Sequence, residues 1–171
     1  ARQAASVAAG VLSLTPALEA ATETPGERLR LGIIGLRTRG KQLAGELIQR
    51  ADVEVAALCD VDGEVLHGAA RHLAPLASTG QPAFRLENDY RRLLDDRTLQ
   101  GVVIATPDHW HASMACQAMD AGHDVYLESP ATMSLVQGAE LLATMSRTGR
   151  IVQCGIQERS GTAYHEALRY L

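Results

Sequence analysis

The stretch GVVIATPDHWHAS, residues 101–113, followed by GHDVYLESP, residues 122–130, decides how this chain is read. Gly101 to Ala105 is an apolar, β-branched run of strand length, and Thr106-Pro107 ends it. His109 to Ala121 then has the length of a helix, with Gly122 where a helix is closed. Asp124 to Leu127 reads as the next strand. A strand, a helix and a strand in so short a space imply parallel pairing through a right-handed crossover.

The same rhythm extends in both directions. Upstream, Leu29 to Ile34 is an apolar run that stops at Gly35, and Gly40 to Arg50 carries Leu43, Leu47 and Ile48 at helical spacing. Val53 to Cys59 alternates as a strand, and Glu64 to Ala77 presents Val65, Leu66, Ala69, Leu73 and Leu76 along one side of a helix. A brief strand at Phe84–Leu86 and a short helix from Asp89 to Asp95, capped by Asn88 or Asp89, complete the first half. Downstream, Ser134 to Thr148 reads as a helix closed by Gly149, and Ile151 to Cys154 as a last strand. The fold class is therefore α/β, a doubly wound parallel sheet of the Rossmann type. Ligands of such sheets bind beyond the carboxyl ends of the strands. The loops after Ile34, Cys59, Ala105, Leu127 and Cys154 converge there.

Composition sets limits. The 171 residues suffice for one domain with a proper core, and with 46 % apolar but only 4 % aromatic residues that core is built of Ala, Val, Leu and Ile. The net charge of −4, without clustered Lys and Arg, gives no nucleic-acid surface. Cys59, Cys116 and Cys154 lack the close spacing of a zinc site and read as small buried thiols. Residues 1–27 stand apart from the domain at 28–171. Gln3 to Leu18 are sixteen uncharged residues between Arg2 and Glu19, an apolar stretch followed by small residues, as in an export signal or membrane anchor. Thr22 to Glu27 reads as a linker. The chain starts at Ala1 and stops at Leu171 within an apparent helix, the pattern expected of part of a larger polypeptide.

GIIGLRTRG, residues 32–40, lies where a dinucleotide fingerprint belongs, between the first strand and the first helix. Aligned as G-x-G-x-x-G, its first glycine is Gly35 and its third Gly40, while the second falls on Arg37. A side chain at that place is expected to intrude on the pyrophosphate or, alternatively, to hold a phosphate through its guanidinium. Asp60, at the end of the second strand, stands where an acid hydrogen-bonds the adenosine ribose. With Asp62 beside it a 2′-phosphate would be repelled, which favours NAD over NADP. Arg39 reads as a surface residue. His109 and His111 flank Trp110, but His-x-His has no nearby third ligand, so a metal is not expected. Their plain reading is loop packing at the start of a helix, with Asp108 as its cap.

TPDHWH at 106–111 and GHDVYLE at 122–128 resemble the nucleotide-binding half of the Gfo/Idh/MocA oxidoreductases, over about residues 28–161. That resemblance implies NAD(P)-dependent chemistry on sugars and cyclitols. It puts Pro107, Asp108, His109, Trp110 and His111 on the nicotinamide-ribose side of a cleft, counts Thr106 and Glu128 among the cofactor-binding positions, and makes Glu128, Ser129, Pro130 and His111 the family's catalytic positions. In the family the second stretch ends Glu-Lys-Pro, and its lysine assists proton transfer to and from the substrate hydroxyl. Ser129 occupies that place, and a serine hydroxyl is a poor acid or base near neutral pH without a partner. Pro130 reads as a rigid turn, in cis if the family shape is kept. Tyr164 and His165 belong to the terminal helix and do not replace the family's C-terminal catalytic cluster.

Taken together, the Arg37 and Ser129 departures and the missing second domain predict a catalytically degenerate subunit. It is expected to be exported and membrane-associated through residues 3–18, to bind other protein subunits, and to bind no NAD(H) or bind it weakly. An NAD-dependent oxidoreductase with its substrate domain elsewhere is the first alternative, and a nucleotide sensor without turnover the second. The degenerate reading predicts a cleft blocked by Arg37.

Overall fold

A computed structural model describes residues 28–77, 83–157 and 161–170. The apolar stretch at residues 3–18 and its linker lie outside the described residues. Six parallel strands form one sheet: β1 (Leu29–Ile34), β2 (Val53–Cys59), β3 (Arg85–Glu87), β4 (Gly101–Ile104), β5 (Asp124–Glu128) and β6 (Val152–Gly155), in the order β3-β2-β1-β4-β5-β6. The order reverses between β1 and β4, and that switch point opens a crevice at the carboxyl ends of the two strands.

Helices cover both faces because strands buried on both sides need two apolar layers. On one face α1 (Thr38–Ile48) and α2 (Gly63–Leu73) bury Leu43, Ala44, Ile48, Leu66, Ala69 and Leu73 against Leu31, Ile33, Val55 and Leu58. On the other, α3 (Tyr90–Leu94), α4 (Asp108–Asp120) and α5 (Leu135–Thr148) set Leu93, Met114, Ala115, Met119 and Leu141 against Ile34, Ile104, Val125 and Leu127. The predicted doubly wound sheet is thus the observed one. A final helix, α6 (Thr162–Ala167), ends before Leu168, short of the chain's end. An apolar recess of about 630 Å³ over Leu31, Val102, Val103 and Val125, rimmed by Leu43 and Glu46 of α1 and by Arg50 beyond it, lies toward the amino ends of the strands. Among the described residues no helix is long and apolar enough to cross a membrane.

Boundaries moved for local reasons. Pro75 turns the end of the second helix into a 3-10 turn at Ala74–Leu76. Asp89, rather than Asn88, caps α3, accepting the Arg91 amide at 3.0 Å. Pro107, not Asp108, is the N-cap of α4, and Asp108 sits one place inside, an acid in the first turn facing the helix dipole. Gly122 (φ +96°) and Gly149 (φ +67°) adopt the left-handed conformation that closes α4 and α5.

Candidate functional site

The glycine loop takes its shape from two contacts that only glycine tolerates. Gly35 has φ +86°, and a Cβ there would lie 2.6 Å from the Ala105 carbonyl oxygen. A Cβ on Gly40 would lie 1.7 Å from the Gly35 carbonyl oxygen, so α1 packs directly on the strand end. The first intrahelical bond of α1 is Lys41 N–H to Arg37 O at 3.1 Å. The amides of Thr38, Arg39 and Gly40 precede it and have no helical acceptor, which makes this helix start an anion cradle.

Asp60 fixes the loop from the neighbouring strand. Its buried carboxylate accepts Leu36 N–H at 2.8 Å through Oδ2 and Asp62 N–H at 3.0 Å through Oδ1. Each oxygen retains a further lone pair for a ribose hydroxyl. Asp62 caps α2 by accepting the Glu64 and Val65 amides at 3.0 and 3.3 Å through Oδ1.

Arg37 is turned toward Asp62. Its backbone has φ −68°, a value open to any residue, so glycine is not required there for conformation. Its guanidinium donates to Asp62 Oδ2 at 3.1 Å, and its side chain is 76 % exposed. The side chain is thereby held at the loop after β2, beside the strand-end acid Asp60.

Arg39 corrects the surface reading. Its Nε donates to Glu128 Oε1 at 2.9 Å, with the two side chains 27 % and 10 % exposed. Burial alone would lower the Arg39 pKa, but the hydrogen bond and charge of Glu128, with a smaller contribution from Tyr126, outweigh it and raise it. The Tyr126 hydroxyl donates to the same Glu128 oxygen at 3.5 Å, and its pKa is raised by burial and then by the Glu128 charge. Gly155 pairs with Glu128 across β5 and β6, and a Cβ there would strike the Tyr126 hydroxyl at 2.6 Å and Glu128 Oε1 at 2.9 Å. The start of α1 is thereby stapled to the end of β5, across the switch point.

The two loops named by the motifs are held by one histidine. His111, 1 % exposed, has Nδ1 2.8 Å from Pro130 O and Nε2 2.8 Å from Thr106 O. It therefore ties the loop after β4 to the loop after β5, with both ring nitrogens taken up by backbone carbonyls. The Ser129–Pro130 bond is cis, as the rigid-turn reading anticipated. His109 and Trp110 stay exposed on the first turn of α4, ring centroids 5.8 Å apart, with Trp110 44 % exposed. Thr106 Oγ1 is buried and has no hydrogen-bond partner, a polar atom left unsatisfied beside the crevice. Gly35, Gly40, Asp60, Thr106, Pro107, His111, Glu128, Ser129 and Pro130 thus gather at one end of the sheet. Tyr164 and His165 lie on α6, outside the group.

A glycine loop at a helix start with an acid at the end of the next strand is the arrangement of a dinucleotide-binding crevice. The model of the Gfo/Idh/MocA oxidoreductase family, NAD-binding Rossmann fold, matches residues 29–156. The chain belongs to this family. A glycosyl hydrolase family 109 protein of Stenotrophomonas maltophilia is 39 % identical over 152 residues, which are 85 % of this chain and 32 % of that protein. An α-N-acetylgalactosaminidase of Shewanella oneidensis is 32 % identical over 124 residues, 71 % of this chain and 27 % of its own length. Among solved structures, myo-inositol 2-dehydrogenase from Lactobacillus plantarum superposes with a TM-score of 0.73 at 25 % identity, over 82 % of this chain and 40 % of that one. GenD2 of gentamicin A biosynthesis, solved in complex with NAD, gives 0.65 at 25 % identity, over 75 % of this chain and 34 % of its own. The chain spans about a third of the length of these Gfo/Idh/MocA and glycosidase relatives.

Tyr126, Gly155 and the Arg39–Glu128 pair were missed by motif reading. The one signal for them was the glycine ending the last strand, opposite a glutamate.

Proposed function

We propose that this chain is the NAD-binding domain of a Gfo/Idh/MocA enzyme acting on a sugar derivative. The observation that carries it is the glycine cradle at the start of α1, with the Arg37 guanidinium drawn to Asp62 rather than lying across the loop. In this reading the amides at the start of α1 hold the pyrophosphate and Asp60 the adenosine ribose. Thr106, Pro107, His109 and Trp110 line the nicotinamide side. Bound NAD would supply a hydride acceptor.

The chain's own residues do the positioning. Arg39 fixes the Glu128 side chain at the cleft mouth through their ion pair, and His111 sits between the two flanking loops. Ser129 offers a hydrogen bond but no amine with a tunable pKa, so proton transfer falls to a group outside this cluster. The names of the relatives at 39 % and 32 % identity favour a glycoside, with an N-acetylated amino sugar as the substrate class. Ser129 also favours a second reading, a subunit that holds NAD without turnover within a larger assembly. The uncharged run from Gln3 to Leu18 supports export of the chain in either case.

The sole tryptophan, Trp110, is a built-in reporter. Titration with NADH should quench its emission and sensitise nicotinamide emission to a saturating value. A folded chain whose Trp110 emission ignores NADH would refute the proposal. Release of p-nitrophenol from p-nitrophenyl α-N-acetylgalactosaminide by the polypeptide at its natural length separates the two readings. NADH binding without any release would favour the non-catalytic subunit.

A further inference from the structure

Arg37 breaks the glycine pattern, yet its side chain is held in a definite place. Asp60 marks the ribose position at the end of β2. Asp62 N–H bonds to Asp60 Oδ1 at 3.0 Å, and the Arg37 guanidinium bonds to Asp62 Oδ2 at 3.1 Å. The cation therefore stands at the adenosine end of the crevice, within one residue's reach of the ribose acid, and not across the pyrophosphate.

The two acids that should repel a 2′-phosphate are also largely engaged. Both Asp60 oxygens accept backbone amides, and Asp62 is divided between the α2 cap and Arg37. Exposed Val61, between them, adds no charge. An arginine beside the strand-end acid is the arrangement that accommodates a 2′-phosphate, because its fork matches phosphate oxygens.

We infer that Arg37 is the specificity-determining residue of this loop and makes the adenosine site accept NADP as well as NAD. This rests on the dinucleotide site proposed above. It also revises the preference for NAD drawn from Asp60 and Asp62 alone. The exposed guanidinium exchanges Asp62 for the phosphate when NADP enters, while Asp60 keeps its hold on the loop.

The test is a titration of the full chain with NAD⁺ and NADP⁺ in turn, reading the ratio of the two dissociation constants. Arg37→Gln removes the charge without freeing the backbone, Arg37→Lys keeps the charge, and Asp62→Asn releases the guanidinium while retaining a capping oxygen. Thermal melts check that each variant is folded. The natural chain should bind the two cofactors within about tenfold of each other. Arg37→Gln should widen the ratio against NADP⁺ by about tenfold more, the loss of one charge-assisted bond to phosphate. Arg37→Lys should restore most of it, and Asp62→Asn should narrow the ratio. An unchanged ratio in Arg37→Gln overturns the assignment, as does a natural chain that binds NAD⁺ and rejects NADP⁺. Failure of both cofactors to bind the folded natural chain overturns the dinucleotide reading and this inference together.

Discussion

Gly40→Ala puts one methyl group between α1 and the end of β1, and the structure allows its cost to be worked out. The added Cβ would stand 1.7 Å from the Gly35 carbonyl oxygen, where real contacts of this kind are not closer than 3.0 Å, so the gap must widen by at least 1.3 Å. Gly35 cannot retreat. Its amide is bonded to Cys59 O at 2.9 Å, and it holds φ +86° against the Ala105 backbone. The helix must move instead, carrying Leu43, Ala44 and Ile48 out of register with the sheet. Helix propensity favours alanine by about 1 kcal/mol, but overpacking against an immovable oxygen costs about 3 kcal/mol or more. The net loss is about 2 kcal/mol. Gly45→Ala, on the same helix, is the control, because its Cβ would meet only Leu76 and Leu73 side chains at 3.7 and 3.8 Å. Urea unfolding should show Gly40→Ala destabilised by about 2 kcal/mol and Gly45→Ala neutral or stabilised by up to about 1 kcal/mol. Equal stability of the two variants would refute the close-packing argument.

Three further outcomes follow from other parts of the molecule. Arg39→Ala strands the buried Glu128 charge and should cost about 3 kcal/mol, whereas adding Glu128→Gln in a double-mutant cycle should recover about 1 kcal/mol; purely additive losses would deny the staple. Burial would raise the Asp96 pKa, but hydrogen bonds from Thr98 and the Arg85 charge more than offset it, leaving it below its ordinary value of 3.8. A depressed carboxylate stabilises the fold above its unfolded pKa and loses that contribution as pH falls through the folded value. The stability gap between the natural chain and Asp96→Asn, about 1 kcal/mol at pH 7, should therefore close only below pH 4, and a gap independent of pH would contradict the assignment. Burial, with the nearby Asp60, Asp89 and Glu87 charges, pushes the Cys59 thiol up to about 12. Iodoacetamide at pH 8 should leave Cys59 unmodified in the native chain while reaching half-buried Cys154, as peptide mapping would report.

Much of the fold could be read because its determinants are local. Strand-length apolar runs, the glycines at 35, 122 and 149, and the proline after Ser129 all act within a few residues of themselves. The ends of elements were less legible, since capping depends on competition between neighbours. Pro107, with φ fixed near −59° in an extended cap, took the N-cap of α4 from Asp108. The motif residues gather at one end of the sheet, but the interactions among them were not legible in the sequence. Arg39 reads as a surface residue until Glu128, 89 positions away, is brought beside it. Arg37 reads as an obstruction because motif spacing gives its position and not its direction, which Asp62 decides. His111 reads as packing at the start of a helix, and the two carbonyls that its nitrogens meet, Thr106 O and Pro130 O, become visible only in the fold. His123, equally buried, does the same for Leu94 O and Leu99 O at 2.9 Å, and no motif pointed to it.

The most direct measurement is a calorimetric titration of the folded chain with NAD⁺, repeated on Gly40→Ala under conditions where that variant remains folded. The expected result is saturable one-to-one binding by the natural chain, weakened at least about tenfold when the cradle is forced open. Absence of any binding heat from the folded natural chain across a range of temperatures would contradict a working dinucleotide site.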